Sequence, residues 1–231
     1  MRGRGPGHSM AAHRILLINP NSSGATTAMM VAIATSAAPA GTVVVGATAM
    51  RAPGMIVTPE ALTASGSEVL DIAQAHANDC DGIIVAAFGD PGLRAVRATL
   101  AVPSVGIGES AMLDAARNGR RFGVATTTPL LKAAIDALPE ELGLQPSYTG
   151  TRFADGDPQA LMRDPAQLRA ALAAAVEACV TQDGAEAVII GGGPLGEAAR
   201  ALQPMFSVPV IAPIPSAVAR IIGLIKAPTT V

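Results

Sequence analysis

Ile83-Ile84-Val85-Ala86-Ala87-Phe88-Gly89-Asp90-Pro91-Gly92-Leu93 decides the fold. A run of β-branched residues gives way to small residues and a Gly-Asp-Pro-Gly break. Leu93-Arg94-Ala95-Val96-Arg97 then follows at helical spacing, so the stretch reads as strand, tight loop, helix. Moved along by 105 positions, Ile83 to Ala87 falls on Val188-Ile189-Ile190-Gly191-Gly192, again before a Gly/Pro loop and an Ala-rich helix. After one extra residue, Val102-Pro103-Ser104-Val105-Gly106 meets Val208-Pro209-Val210-Ile211-Ala212, and Ser110-Ala111 meets Ser216-Ala217. The chain therefore writes the same connection twice: strand, helix, a Val-Pro-led strand, helix.

Outward from the repeat, Arg14 to Ile18 reads as a buried parallel strand ended by Asn19-Pro20-Asn21-Ser22-Ser23, with Ser22 or Ser23 able to cap a helix from Gly24. Thr42 to Gly46 is a second strand, Ala49 to Thr58 a Gly/Pro-rich loop, and Pro59 to Asn78 a helix. Arg121 to Ala125 opens a second half, in which Thr126-Thr127-Thr128-Pro129 stands where Asn19 to Ser22 stood in the first. A strand is expected within Ser147 to Gly156, and helices over Pro165 to Val180 and Ser216 to Ile225. The fold class is α/β: two pseudo-symmetric lobes, each a mainly parallel sheet flanked by helices, with a cleft between them. Residues 14–118 plus 214–231 form lobe 1 and 119–213 lobe 2. Met1 to His13 has no periodicity and reads as a disordered leader.

Half of the 231 residues are apolar, enough for a real core, and the net charge is −2 with sparse, mixed charges. This balance gives no signal for a nucleic-acid partner, and no apolar run reaches the length of a membrane span. Two cysteines fit a reducing, cytoplasmic setting. His76 and Cys80 are four apart, but no second pair completes a tetrahedral set, so no metal is expected.

In open α/β sheets ligands lie beyond the carboxyl ends of the strands. Four such ends stand out: Asn19-Asn21-Ser22, Ala87-Phe88-Gly89, Thr126-Thr127-Thr128 and Gly191-Gly192-Gly193. Each precedes a helix whose free N–H groups favour an anion or a developing oxyanion. Asn19, Asn21 and Ser22 are candidates to bind a ligand's polar edge, or are turn and cap residues. Thr126, Thr127 and Thr128 either hold a ligand oxygen or cap the next helix. Gly192 and Gly193 bring backbone N–H groups close to an oxygen, or serve a tight turn. Asp90 reads as a loop-fixing residue and Arg51 as a solvated one. Glu109, after the Ser104 to Ile107 strand, is either a general base or a first-turn carboxylate favoured by the helix dipole.

Leu17-Ile18-Asn19-Pro20-Asn21-Ser22, Phe88-Gly89-Asp90-Pro91-Gly92-Leu93, the Val-Pro strand followed by Gly108-Glu109, and Val208-Pro209-Val210-Ile211 together resemble the Asp/Glu/hydantoin racemase superfamily, nearest its hydantoin and allantoin racemases. The resemblance runs from Arg14 to about Ile225. It implies a cofactor-free, homo-oligomeric enzyme with a small-molecule substrate between its lobes, and it matches Glu109 to a glutamate of the racemases. It also implies a thiol on each side of the substrate carbon, at the positions held here by Ala87 and Gly192.

A methyl group and a hydrogen cannot exchange protons, so the two-thiol mechanism is lost. Cys80 precedes Ala87 by seven residues, roughly 20 Å of strand, and Cys179 lies inside a helix. Three functions follow as expectations. The first and favoured is hydrolytic opening of a cyclic amide or imide with Glu109 as base. The second is isomerisation or decarboxylation through a stabilised enolate with a non-cysteine base. The third is small-ligand binding without turnover.

Overall fold

The computed structural model describes residues 13–227, so the leader reading for Met1 to Ala12 lies outside the described residues. Two four-stranded sheets, parallel throughout, are built in chain order. The first holds β1 (Arg14–Asn19), β2 (Val43–Thr48), β3 (Gly82–Val85) and β4 (Ser104–Gly106), in the order β2-β1-β3-β4. The second holds β5 (Phe122–Thr126), β6 (Tyr148–Phe153), β7 (Ala187–Gly191) and β8 (Val210–Ile211), in the equivalent order β6-β5-β7-β8. The strand order repeats as the sequence does.

Strand character explains the placement. The central strands β1, β3, β5 and β7 are near-continuous apolar runs, buried on both faces as parallel strands covered by helices must be. β2, at an edge, carries the half-exposed Val43. The helices are α1 (Gly24–Ala37), α2 (Pro59–His76), α3 (Leu93–Thr99), α4 (Ile107–Ala115), α5 (Lys132–Glu141), α6 (Pro158–Arg163), α7 (Pro165–Thr181), α8 (Gly196–Leu202) and α9 (Pro213–Lys226). Ser23, Thr58 and Asp164 cap α1, α2 and α7 with side-chain oxygens that accept first-turn N–H groups, and Pro59 and Pro165 open the last two.

The sequence reading differs from these bounds at element ends. β2 runs on to Thr48, and α2 stops at His76, followed by a 3-10 turn at Ala77–Asp79. α9 starts at Pro213, three residues before Ser216, because proline suits a first helical position. The short α6 has too few residues to show a period in the sequence.

The two helices after the fourth strands cross over. α9 lays Ile214, Ala217, Val218, Ile221 and Ile222 against Ile15, Leu17, Ile84 and Val105 of the first sheet. α4 in turn packs Ala111, Met112 and Ala115 against Phe122, Val124, Ala187 and Ile189 of the second. Where α4 and α9 meet, Ser216 Oγ donates to Asp114 Oδ2 at 2.7 Å. Each sheet is thus completed by a helix that leaves the other, which holds the carboxyl ends of the central strands face to face. Among the described residues no helix is long and apolar enough to cross a membrane.

Candidate active site

The four loops singled out above close around one cleft, a small cavity of about 90 Å³. Asn21, Ala87 and Phe88 line it from the first lobe; Thr127, Thr128, Gly192 and Gly193 line it from the second. The rest of the wall is apolar: Met30, Met55, Ile56, Leu62, Leu131 and Met162. The lobes approach closely here, since a Cβ on Gly193 would lie 2.5 Å from Met30 Sδ and 3.1 Å from the Ala86 carbonyl oxygen.

Asn19 does not face the cleft. It is fully buried, its amide donates to Asn21 Oδ1, the Ser23 carbonyl and Thr27 Oγ1, and its Oδ1 accepts from Asn21 N–H. Asn21 Oδ1 also accepts from Ser23 N–H at 2.9 Å. With its oxygen engaged, Asn21 keeps its amide NH2 for the cleft. Ser22 points to solvent, held by its N–H to the Pro53 carbonyl. In the second lobe Thr126 is buried and donates to the Gly191 carbonyl at 2.6 Å, tying together the loops after β5 and β7. Thr127 and Thr128 are left at the cleft. Among the described residues, the N–H groups of Thr127, Thr128, Gly192 and Gly193 donate to no other protein atom.

Glu109 requires a correction. It sits in the first turn of α4, yet its carboxylate points away from the cleft into a second hollow behind the Gly89–Gly92 loop. There Arg97 Nη1 and Nη2 donate to it at 2.9 and 2.5 Å, and Arg220 Nε stands 3.5 Å away. Arg97 is fixed in turn by donating to the Ser104 carbonyl. The first-turn carboxylate reading fits this arrangement; a base acting in the cleft does not. Gly89 also lines the second hollow. Its φ is 115° and a Cβ there would lie 2.9 Å from Leu62 Cδ2, so the position suits only glycine.

Of the other residues singled out in the sequence, Arg51 pairs with Asp71 at 2.5 Å and neighbours Glu68 at 3.7 Å, outside the cleft. Cys80 is half-buried before β3, and burial raises its thiol. Cys179 is buried in α7, pushed up to about 12 by burial and then by the charge of Asp183. Neither lines the cleft. Among the described residues no group of three or more His, Cys, Asp or Glu side chains is placed to hold a metal ion. What the sequence reading missed is the apolar wall, whose Met55 and Ile56 come from the Gly/Pro-rich loop and Met162 from α6. The only signal was methionine abundance, nine residues against four phenylalanines and one tyrosine.

Mirrored parallel sheets that turn the carboxyl ends of their central strands toward a shared cleft define a class: pseudo-symmetric two-lobed α/β proteins with a ligand site between the lobes. The Asp/Glu/Hydantoin racemase family model matches residues 15–221, and the chain belongs to that family. It is 32% identical to a hydantoin racemase of Rhizobium meliloti over 88% of this chain and 85% of that one. It is 31% identical to a hydantoin racemase of Pseudomonas sp. (strain NS671) over 86% and 80%. Among solved structures, the allantoin racemase from Klebsiella pneumoniae superposes with a TM-score of 0.87 at 28% identity, over 92% of this chain and 87% of that one. Arylmalonate decarboxylase shares the fold at a TM-score of 0.64 and 17% identity, over 93% of each chain.

Proposed function

We propose that the cleft takes a small uncharged ring of the cyclic amide or imide kind, such as a hydantoin, and stabilises the enolate formed when the carbon beside its carbonyl loses a proton. Water carries that proton. One observation carries the reading: a cleft without a titratable side chain among its described lining, yet ringed by unengaged donors, the N–H groups of Thr127, Thr128, Gly192 and Gly193 and the Asn21 amide. Such donors act where charge develops, and removing one typically costs about 10²–10³ in rate in other enzymes. The hydantoin racemases 31–32% identical to this chain support the ring and the isomerase class. Hydrolysis was the favoured expectation from the sequence, but it needed Glu109 beside the ring, and the Arg97 pair holds that carboxylate elsewhere.

The test is incubation of single enantiomers of hydantoins with varied ring substituents, and of allantoin, cyclic imides and arylmalonates, in D2O, followed by polarimetry and mass analysis. Loss of rotation with uptake of one deuterium is expected, faster as hydroxide rises. Gain of one water would make the protein a ring-opening hydrolase, release of CO2 a decarboxylase, and calorimetric binding without turnover a binding protein.

A further inference from the structure

Thr126 ends β5 and is 1% exposed, so its hydroxyl needs a partner inside the protein. It finds one across the sheet. Oγ1 donates to the Gly191 carbonyl at 2.6 Å, where Thr126 and Gly191 stand opposite each other in the pairing of β5 with β7. Glycine at 191 lets the two come this close, since a Cβ there would lie 3.2 Å from Thr126 Cβ and 3.0 Å from Val124 Cγ1. Thr126 is itself fixed, because its carbonyl accepts from Ala154 N–H at 2.8 Å.

That bond sets the direction of the next donor. The Gly191–Gly192 peptide is trans, and a planar trans peptide carries its C=O and N–H on opposite sides. With the Gly191 carbonyl turned to the buried Thr126, the Gly192 N–H is turned the other way; Gly192 lines the cleft and Thr126 does not. Left to itself this peptide has little preference. It lies between two glycines, neither with a Cβ to resist rotation about the bonds on either side. Turned over, it would show the cleft a carbonyl oxygen in place of an N–H, an acceptor where a developing negative charge needs a donor. The first lobe is built differently. Asn19 ends β1 as Thr126 ends β5, but its side-chain amide bonds to Asn21, Ser23 and Thr27, all in its own loop and the helix that follows.

We propose that Thr126 is a positioning residue: its hydroxyl locks the Gly191–Gly192 peptide so that the Gly192 N–H faces the cleft as a fixed donor. Under the proposed ring chemistry, this makes the second lobe the side on which the negative oxygen of the enolate is held.

Crystal structures of the unliganded wild type, Thr126→Val and Thr126→Ser test the lock itself. Valine keeps the shape of threonine and removes the hydroxyl; serine keeps the hydroxyl and removes a methyl group. In Thr126→Val the Gly191 carbonyl should leave its wild-type direction, wholly or in a second conformer, and in Thr126→Ser it should stay. A Thr126→Val structure with that carbonyl unmoved overturns the proposal, as does a Thr126→Ser structure with the peptide turned.

The kinetic arm rests on the proposed ring-binding function and follows deuterium exchange of a hydantoin that the wild type turns over. A donor to the ring carbonyl is worth more once that oxygen carries charge, so its loss falls on kcat rather than on KM. Thr126→Val should lower kcat per folded molecule by about 10²-fold, with KM held within about threefold. Thr126→Ser should restore kcat to within about threefold of the wild type. A hydroxyl that served packing alone would lower the folded fraction and not kcat per folded molecule. Equal kcat in the wild type and Thr126→Val, or a loss in Thr126→Ser as deep as in Thr126→Val, overturns the positioning role. If the wild type turns over no hydantoin but the crystal structures behave as stated, the lock stands and the functional reading falls.

Discussion

At positions 87 and 192 the cleft presents a methyl group and a hydrogen, and the two sites are not equivalent as places to put something larger. Gly192 has φ 156°, and a Cβ there would stand 2.8 Å from Leu195 Cδ1. Gly192→Cys should therefore lose about 1–3 kcal/mol in denaturant melts, whereas Ala87→Cys adds a sulfur to a Cβ already accommodated. Under the proposed chemistry, Ala87→Cys supplies a base on one face only. Deuterium exchange of one hydantoin enantiomer should then rise by at least about 10², with the other lagging. Glu109→Gln tests the opposite kind of residue. It breaks the pair with the partly exposed Arg97, so stability should drop by about 1–3 kcal/mol, while calorimetric affinity in the cleft stays within twofold. The facing of positions 87 and 192 was legible because the internal repeat superposes them. The direction of Glu109 was not: the sequence places it in a first helical turn, but the side it faces depends on how α4 crosses the second sheet and on an arginine twelve residues earlier.

Among the elements, the central strands and the loops after them could be read from apolar runs ended by Gly, Pro, Asn and Thr, because both signals are local. The exchange of α4 and α9 could not, since either helix is apolar enough to cover either sheet. Only packing decides, as at Gly82 on β3, where a Cβ would lie 2.7 Å from Ile221 Cγ1 of α9. Gly82→Ala should accordingly cost about 1–3 kcal/mol by overpacking, read as a lower midpoint in urea. The apolar wall was equally hidden, because Met55 and Met162 come from a loop and a short helix with no periodicity to reveal which way they face.

For the molecule as a whole, burial pushes the Asp90 carboxyl up to about 7 against the Glu109 and Gly108 N–H bonds it accepts, so its contribution to stability is complete below the ordinary carboxylate range and is lost as pH rises through about 7. Wild-type stability in urea should decline between pH 6 and pH 8 by about 1 kcal/mol more than that of Asp90→Asn. A chain ended at Ala212 would lack α9 and bare the face of the first sheet around Ile15, Leu17 and Ile84. It should be recovered as aggregate, and a soluble, cooperatively melting product would refute this. The reciprocal helices also bear on how the protein is made. The strands of the first sheet wait for residues 213–226, which are made only after the whole of the second sheet, before one of their faces is covered, while the second sheet already has α4 at hand when its own strands appear. Completion therefore runs backwards through the gene order, and the nascent amino-terminal half is the portion that most needs a chaperone's shelter.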